Sequence, residues 1–146
     1  MIISEFGACL GGSTCAYEIT NVGEVCDEKL ASWSYWQFKK YGDLTTTAGT
    51  GSEGFYNADG SLQVDKVTAL TRTYIQNTQG TLKALKFDYK TAQFTASFTV
   101  DTSVSQPSVI YWNDEYWYTN GINFSVTDAS GTSLVQGTDY TLDLSE

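Results

Sequence analysis

The pattern of apolar and polar residues in the first part of the chain predicts a strand, then a helix, then a second strand. Residues 2–8 form a short apolar run that predicts a strand, and "ASWSYWQF" is a second, aromatic run without a helix breaker. Apolar residues between the two runs recur at helical spacing and predict a short helix over about residues 22–30. They are Val22, Val25, Cys26 and Leu30. A strand, a helix and a strand in this order are typical of a parallel βαβ unit.

A second helix is predicted over about residues 63–77, and the period changes after it. The i, i+3, i+4 apolar spacing continues to Ile75, and Gly80 ends the pattern. Beyond Gly80, alternating apolar and polar segments are separated by turn signals: "LKALKFDY", "QFTASFTV", "SVIYW", "INFSVT" and "YTLDL". Such strands predict an antiparallel β-sandwich. The expected fold class is therefore α+β, with the β-α-β-α end of an incomplete (β/α) barrel over residues 1–80 and a β-sandwich over residues 81–146.

A lone β-α-β-α unit leaves its two parallel strands with open edges and uncovered faces. Parallel strands are stable chiefly when both faces are covered, and open edges favour association with another chain. The first half of the sequence therefore predicts the end of a larger α/β domain. The N-terminal portion of that domain is an expected partner.

The composition of the chain argues against several kinds of partner and catalytic group. The chain has 146 residues, with 8 basic and 17 acidic side chains, and a net charge of −9 argues against a nucleic-acid partner. It has no histidine, so acid–base chemistry falls to carboxylates, and no cofactor or metal is expected. No stretch approaches the roughly 20 apolar residues of a membrane span. The start "MIISEF" also lacks the basic and apolar regions of a secretory leader.

Three cysteines lie in the first fifth of the chain: Cys9, Cys15 and Cys26. Their loop-rich setting suits one disulfide with one thiol left over, and the interpretation favours Cys15 paired with Cys26. Three reduced thiols that pack as small apolar side chains are the alternative. The disulfide interpretation points to an oxidising compartment, which is extracellular or lysosomal and secretory for the parent protein.

Glu5 stands inside the first apolar run, in "IISEFGA". An unpaired carboxylate is costly to bury, so this side chain needs partners or a place at the mouth of the strand. In a (β/α) barrel, catalytic groups lie at the carboxyl ends of the parallel strands. The second run brings Trp33 and Trp36 to the same rim. A carboxylate beside an indole suits a sugar, because the flat face of a pyranose stacks on the ring. The alternatives are an idle solvated acid and core tryptophans.

Five segments carry a family resemblance that covers nearly the whole chain. They are "ISEFGA", "SWSYWQFKKYGDLTT", "EGFYNADGSLQVDKVTALTRTYIQNTQG", "FDYKTAQFTASFTV" and "PSVIYWNDEYWYTNGINFSV". The first three resemble the last two βα units of family 5 of the glycoside hydrolases, and more narrowly its endoglycoceramidase and glucosylceramidase-like branch. The last two are similar to the β-sandwich that ends those enzymes. The resemblance implies a carbohydrate substrate, with glucosylceramide-type glycolipids as one class.

Carried over to this sequence, the resemblance implies that Glu5 is the nucleophile of a retaining glycosidase. Trp36 would form the aromatic floor of the subsite that holds the sugar, with Trp33 as the second candidate. The family also uses a general acid/base in an Asn-Glu-Pro motif, which does not occur in this chain. The chain therefore supplies one member of a catalytic pair, and we expect it to be inactive alone.

Three other acids are candidates for the second carboxyl group of the pair: Asp43, Glu53 and Asp59. Each lies in a hydrophilic loop, where a solvated turn carboxylate is the expected role. The acids of "NVGEVCDEK" are interpreted in the same way, as a solvated helix face rather than a metal site.

Two other functions stay open from the sequence. Aromatic residues of the C-terminal half could form a carbohydrate-binding or partner-binding surface on a non-catalytic sandwich, although packing between sandwich and barrel is the preferred interpretation. They are Tyr111, Trp112, Tyr116, Trp117 and Tyr118. The last alternative is a truncated gene product with no independent role.

Overall fold

The structure is a computed structural model that describes residues 1–38 and 52–144. Its described elements, in chain order, are β1 Ile2–Ile3, α1 Gly12–Lys29, β2 Ser32–Trp33, α2 Val64–Leu70, β3 Tyr74–Asn77, β4 Gly80–Phe87, β5 Phe94–Val100 and β6 Val109–Tyr111. The predicted Gly- and Thr-rich loop after the second strand, with Asp43, lies largely outside the described residues.

The predicted parallel βαβ unit is confirmed. β1 pairs parallel with β2, with Ile3 opposite Trp33, and α1 connects them. Both strands are shorter than the sequence predicts, but backbone pairing continues beyond them. Ser34 N–H donates to the Ile3 carbonyl at 2.9 Å, and Trp36 N–H donates to the Phe6 carbonyl at 3.0 Å. The two segments therefore run side by side toward their carboxyl ends.

The first helix is twice as long as predicted. Its buried positions Cys15, Ile19, Gly23 and Cys26 recur at helical spacing. The prediction began at Val22 because glycine and threonine before that point favour loops, whereas packing of Cys15 and Ile19 against Ala69 of α2 stabilises the earlier turns. Leu30, in the left-handed conformation, ends the helix.

The second helix ends earlier than predicted. α2 stops at Leu70, and Tyr74–Asn77 forms β3, which pairs antiparallel with β6. Apolar residues three and four apart fit a helix, but a short run containing tyrosine and isoleucine also fits a strand, and only the partner strand decides between them. The helical assignment of residues 71–77 is therefore wrong.

Antiparallel pairing in the second half is confirmed for three predicted strands. β4 and β5 pair from Gly80 opposite Val100 to Phe87 opposite Phe94, with an irregularity between Leu82 and Ala84. The third is β6, paired with β3. The predicted strands at 122–127 and 140–144 contribute isolated bridges, Thr127 to Ser133 and Gln136 to Tyr140. A mixed α/β architecture with antiparallel strands is thus present, and the sandwich and the boundary at residue 80 stay predictions.

The cysteines pair differently from the prediction. The disulfide joins Cys9 to Cys15, with Cα atoms 5.4 Å apart, and Cys26 is a buried free thiol whose pKa is raised by burial. Cys15 and Cys26 both lie on α1 and are three turns apart, about 16 Å along the axis, whereas a disulfide needs Cα atoms within about 7 Å. The predicted Cys15–Cys26 bridge is therefore wrong.

Candidate active site

Glu5 lies where the parallel strands end. The carbonyls of Ile3 and Phe6 accept hydrogen bonds from Ser34 and Trp36, so the backbone of Glu5 runs beside the segment that leads to Trp36. The Glu5 side chain is exposed to solvent. The structure thus brings the two leading site residues to the same carboxyl end of the parallel pair, which is the edge where the sequence predicts chemistry.

The two tryptophans differ in their surroundings. The Trp33 ring is half-buried and meets Phe6 edge-on, with centroids 5.6 Å apart, which is a packing contact. Trp36 is 39% exposed. Trp36 is therefore the better placed of the two to meet a ligand, and its assignment to a sugar subsite stays a prediction.

Tyr35 connects the first strand to the loop after the second. Its ring meets Phe6 edge-on at 5.5 Å, and its hydroxyl donates to the Glu53 carbonyl at 2.9 Å. Burial, with a smaller contribution from the nearby Glu53 carboxylate, raises the pKa of Tyr35 to about 12. Gly7, at φ +131°, leaves room for the ring, since a Cβ there would lie 2.2 Å from a Tyr35 carbon. Gly7, two residues after Glu5, is thus needed for this approach.

Glu53 is not the solvated turn acid that the sequence predicts. It is only 9% exposed, and its carboxylate accepts a 3.4 Å hydrogen bond from the Gln37 side-chain amide. The Gln37 N–H also donates to its carbonyl, at 3.1 Å. The prediction is wrong because burial here comes from contacts across the fold, which local composition does not reveal. Asp59, by contrast, is an exposed turn acid that accepts from Ser61, as predicted.

Lys66 is a functional candidate that sequence reasoning missed. This α2 side chain is fully buried, and its Nζ donates to the carbonyls of Ser52 at 3.1 Å and Gly54 at 3.0 Å. Burial lowers its pKa to about 8. Its only sequence signal is a lysine one position before the apolar Val67 in a helix, and exposed lysines occupy such positions just as often.

The buried ammonium predicts a pH dependence of stability. The Lys66 pKa is about 8 in the folded chain and 10.5 by its ordinary value, so between these pH values the unfolded chain binds the extra proton. The Lys66 contribution to the free energy of unfolding therefore rises with pH through this window. We expect the unfolding free energy of the wild type, minus that of Lys66→Met, to increase from about pH 8 to about pH 10.5 in urea titrations. A flat difference would contradict the depressed pKa.

Comparison with known proteins places this geometry in a family. The description "Glycoside hydrolase family 5 C-terminal domain" matches residues 72–144, which is half of the chain. The chain belongs to glycoside hydrolase family 5. The endoglycoceramidase of Cyanea nozakii is 32% identical over 104 residues, which cover 70% of this chain and 21% of that protein. The endoglycoceramidase of Hydra vulgaris is 29% identical over 104 residues, 70% of this chain and 19% of that protein. The family 5 chain thus spans about a fifth of the length of these relatives.

Solved structures of endo-glycoceramidase II from Rhodococcus sp. share part of the fold. The structure with a five-membered iminocyclitol has a TM-score of 0.58 and 21% sequence identity, over 79% of this chain and 24% of that chain. The lactosyl-enzyme intermediate has a TM-score of 0.58 and 22% identity, over 77% and 23%. The family 5 chain therefore corresponds to the C-terminal part of endoglycoceramidase-like enzymes.

Two aromatic residues of the family 5 C-terminal domain, Trp117 and Tyr111, contact other elements of the chain. Trp117 donates its indole N–H to the Thr68 carbonyl of α2 at 2.9 Å, and its ring meets Phe87 edge-on at 4.9 Å. Tyr111 lies against Tyr74 across the β3–β6 pair, with centroids 5.0 Å apart. These contacts use the rings within the chain, so they give no support to Trp117 as part of an exposed carbohydrate-binding surface.

Asp27 is a second acid that the sequence placed wrongly in solvent. It forms a buried ion pair with Arg72, the first residue of the matched domain, and its carboxylate also accepts from the Phe87 N–H at 2.9 Å. The Arg72 guanidinium donates to the Gly23 carbonyl at 3.1 Å and lies 5.4 Å from the Phe87 ring centre. This group holds α1 against β4, and thus joins the two halves of the chain.

Residues 1–38 and 52–144 are the part of the chain that the structure describes. That part of the chain contains no group of three side chains suited to hold a metal ion. It also contains no helix with the length and apolar character needed to cross a bilayer.

Proposed function

We propose that Glu5 is the nucleophile of a retaining β-glycosidase and that Trp36 forms the floor of the subsite holding the scissile sugar. The observation that carries the proposal is the parallel pairing that brings the exposed Glu5 and Trp36 to one carboxyl end of adjacent strands. Membership of glycoside hydrolase family 5 supports the proposal. A carboxylate at the carboxyl end of a parallel strand also suits glycoside hydrolysis.

The chemistry proceeds in two displacements. The Glu5 carboxylate attacks the anomeric carbon, the bond to the leaving oxygen breaks, and a covalent glycosyl–enzyme forms. Water then attacks the same carbon and releases the sugar and the carboxylate. A second carboxyl group about 5–5.5 Å away must protonate the leaving oxygen and later deprotonate the water.

The second carboxyl group is proposed to come from the N-terminal barrel portion of the same enzyme. The family's Asn-Glu-Pro motif is missing from the 146 residues. The Glu53 carboxylate accepts a hydrogen bond from the Gln37 side chain. We therefore propose that the isolated chain has no appreciable turnover. The proposed architecture places residues 1–80 at the end of the (β/α) barrel and residues 81–146 in a β-sandwich that packs on it.

The proposed substrate is a glycolipid of the glucosylceramide type. Support comes from relatives in Cyanea nozakii and Hydra vulgaris that are named endoglycoceramidases. A lactosyl-enzyme intermediate of the Rhodococcus sp. enzyme supports a covalent step for that protein. The same step in this chain would place the lactosyl group on Glu5.

Covalent labelling tests the proposal. The segment of the Cyanea nozakii enzyme that matches this chain is replaced by the chain, and the joined enzyme is treated with an activated 2-fluoro-lactoside. Such a compound needs no protonation of its leaving group and accumulates as the glycosyl–enzyme. We expect mass spectrometry to find the label on the peptide containing Glu5. Glu18→Gln, an exposed change on α1, should label normally, and Glu5→Gln should not. A label on another carboxylate of the joined enzyme would refute the assignment.

A further inference from the structure

We propose that Lys66, buried on α2, is a positioning residue that fixes the orientation of Trp36. This inference rests on the proposed function for its consequence in sugar binding, but the physical link between the two residues can be tested without a sugar. Lys66 acts through the backbone of residues 52–54 and through the two chain neighbours of Trp36.

The first link joins Lys66 to the segment around Glu53. Its ammonium donates to the carbonyls of Ser52 and Gly54, which flank Glu53 in the chain. Two hydrogen bonds from one buried cation to carbonyls on either side of a residue fix the peptide planes around it. Because Lys66 is fully buried, water does not compete for these bonds.

The second link joins Glu53 to both neighbours of Trp36. The Glu53 carbonyl accepts from the Tyr35 hydroxyl at 2.9 Å and from the Gln37 N–H at 3.1 Å. Its carboxylate accepts from the Gln37 side chain at 3.4 Å. Trp36 itself is tied on its other side by its N–H bond to the Phe6 carbonyl. Both chain neighbours of Trp36 thus donate hydrogen bonds to Glu53, and these bonds hold the backbone that carries the exposed indole.

A positive charge suits this role better than a neutral side chain. A cation forms stronger hydrogen bonds to carbonyls than a neutral donor does. Burying a charge also costs free energy, and an apolar side chain would fill the same space without that cost. Lys66 also lies 6.0 Å from the centre of the Tyr35 ring, so it is close to Tyr35 as well as to residues 52–54. These contacts therefore predict that loss of the charge moves the indole, since the Ser52 and Gly54 carbonyls then lose the ammonium that they bind.

The test uses the full chain labelled with 5-fluorotryptophan. Its four tryptophans give four fluorine NMR signals, which single Trp→Phe variants assign. We expect Lys66→Met to move the Trp36 signal by more than one linewidth, and to leave the Trp112 signal in place. Lys66→Arg should restore most of the wild-type position. The matched control is Lys83→Met, which removes an exposed lysine from β4.

A structural role alone predicts a different result. If Lys66 only stabilises the fold, Lys66→Met lowers the melting temperature while the Trp36 signal stays in place, and the proposal is overturned. If Lys66→Met does not fold, Tyr35→Phe and Lys66→Arg decide. Tyr35→Phe removes the hydroxyl that donates to Glu53 and keeps the ring. Its Trp36 signal should move, whereas the signal of Lys66→Arg, which keeps the charge, should stay near the wild-type position. An unchanged Trp36 signal in Tyr35→Phe overturns the proposal.

Failure of the proposed function would be distinguishable. In the enzyme joined as above, Lys66→Met should lower kcat/KM roughly 10- to 100-fold, mainly through KM, because a misplaced platform weakens sugar binding. If Trp36→Ala leaves KM unchanged while Lys66→Met still moves the Trp36 signal in the chain alone, the positioning link holds and the sugar role of Trp36 is lost.

Discussion

Replacing Glu5 by glutamine in the joined enzyme should lower turnover of a fluorescent lactosyl lipid by roughly 10⁴-fold or more. The side-chain amide has nearly the same shape as the carboxylate but does not attack the anomeric carbon, so the first displacement is lost. Release of the fluorescent lipid, followed over time at saturating substrate, measures the effect.

Two controls make this experiment specific. Glu18→Gln removes another exposed carboxylate of the same segment and should keep full activity. The 146-residue chain alone should give no turnover above the uncatalysed rate. Turnover by the isolated chain that disappears in Glu5→Gln would show that it contains both carboxyl groups, and equal activity of Glu5→Gln and Glu18→Gln would rule out the nucleophile assignment.

Replacing Asp27 by alanine should lower the free energy of unfolding by about 3–5 kcal/mol. The change leaves the Arg72 guanidinium buried without its carboxylate and removes the acceptor of the Phe87 N–H. Urea denaturation followed by circular dichroism measures the effect. Since a domain is stable by only about 5–15 kcal/mol, such a variant retains a small margin.

The matched control is the neighbouring exposed acid. Glu28 pairs with Lys29 at 2.5 Å on the surface of α1, and Glu28→Ala should change stability little, because solvent screens such a pair. Replacing both Asp27 and Arg72 by leucine and methionine should cost less than Asp27→Ala alone, since no charge is left buried. Equal effects of Asp27→Ala and Glu28→Ala would contradict the role of the buried pair.

Local patterns predicted the part of the fold that depends on sequence neighbours. The parallel pairing followed from the order of strand, helix and strand, and three antiparallel strands followed from alternation. The errors lie where a distant partner decides. Tyr74–Asn77 is a strand because β6 pairs with it, and α1 begins at Gly12 because Cys15 and Ile19 pack against α2.

The sequence likewise predicts only those parts of the candidate site that follow from local patterns. Glu5 and Trp36 could be placed together because the ends of neighbouring parallel strands meet at one edge. Glu53, Lys66 and Asp27 could not, because their burial comes from contacts between segments 12 to 60 residues apart. Charged residues are mostly exposed, so a sequence pattern assigns them to solvent until the fold supplies partners. The disulfide was missed for a related reason, since it depends on where α1 begins.

The Asp27 contacts matter for any attempt to exchange parts between enzymes of this kind. A cassette made of residues 72–144 would leave behind the carboxylate that receives the Phe87 N–H and the Thr68 oxygen that receives the Trp117 indole. A recipient scaffold must therefore offer an acid near the end of the corresponding helix and an open carbonyl on the next one. Crossover points for recombination are better chosen before α1 than after α2.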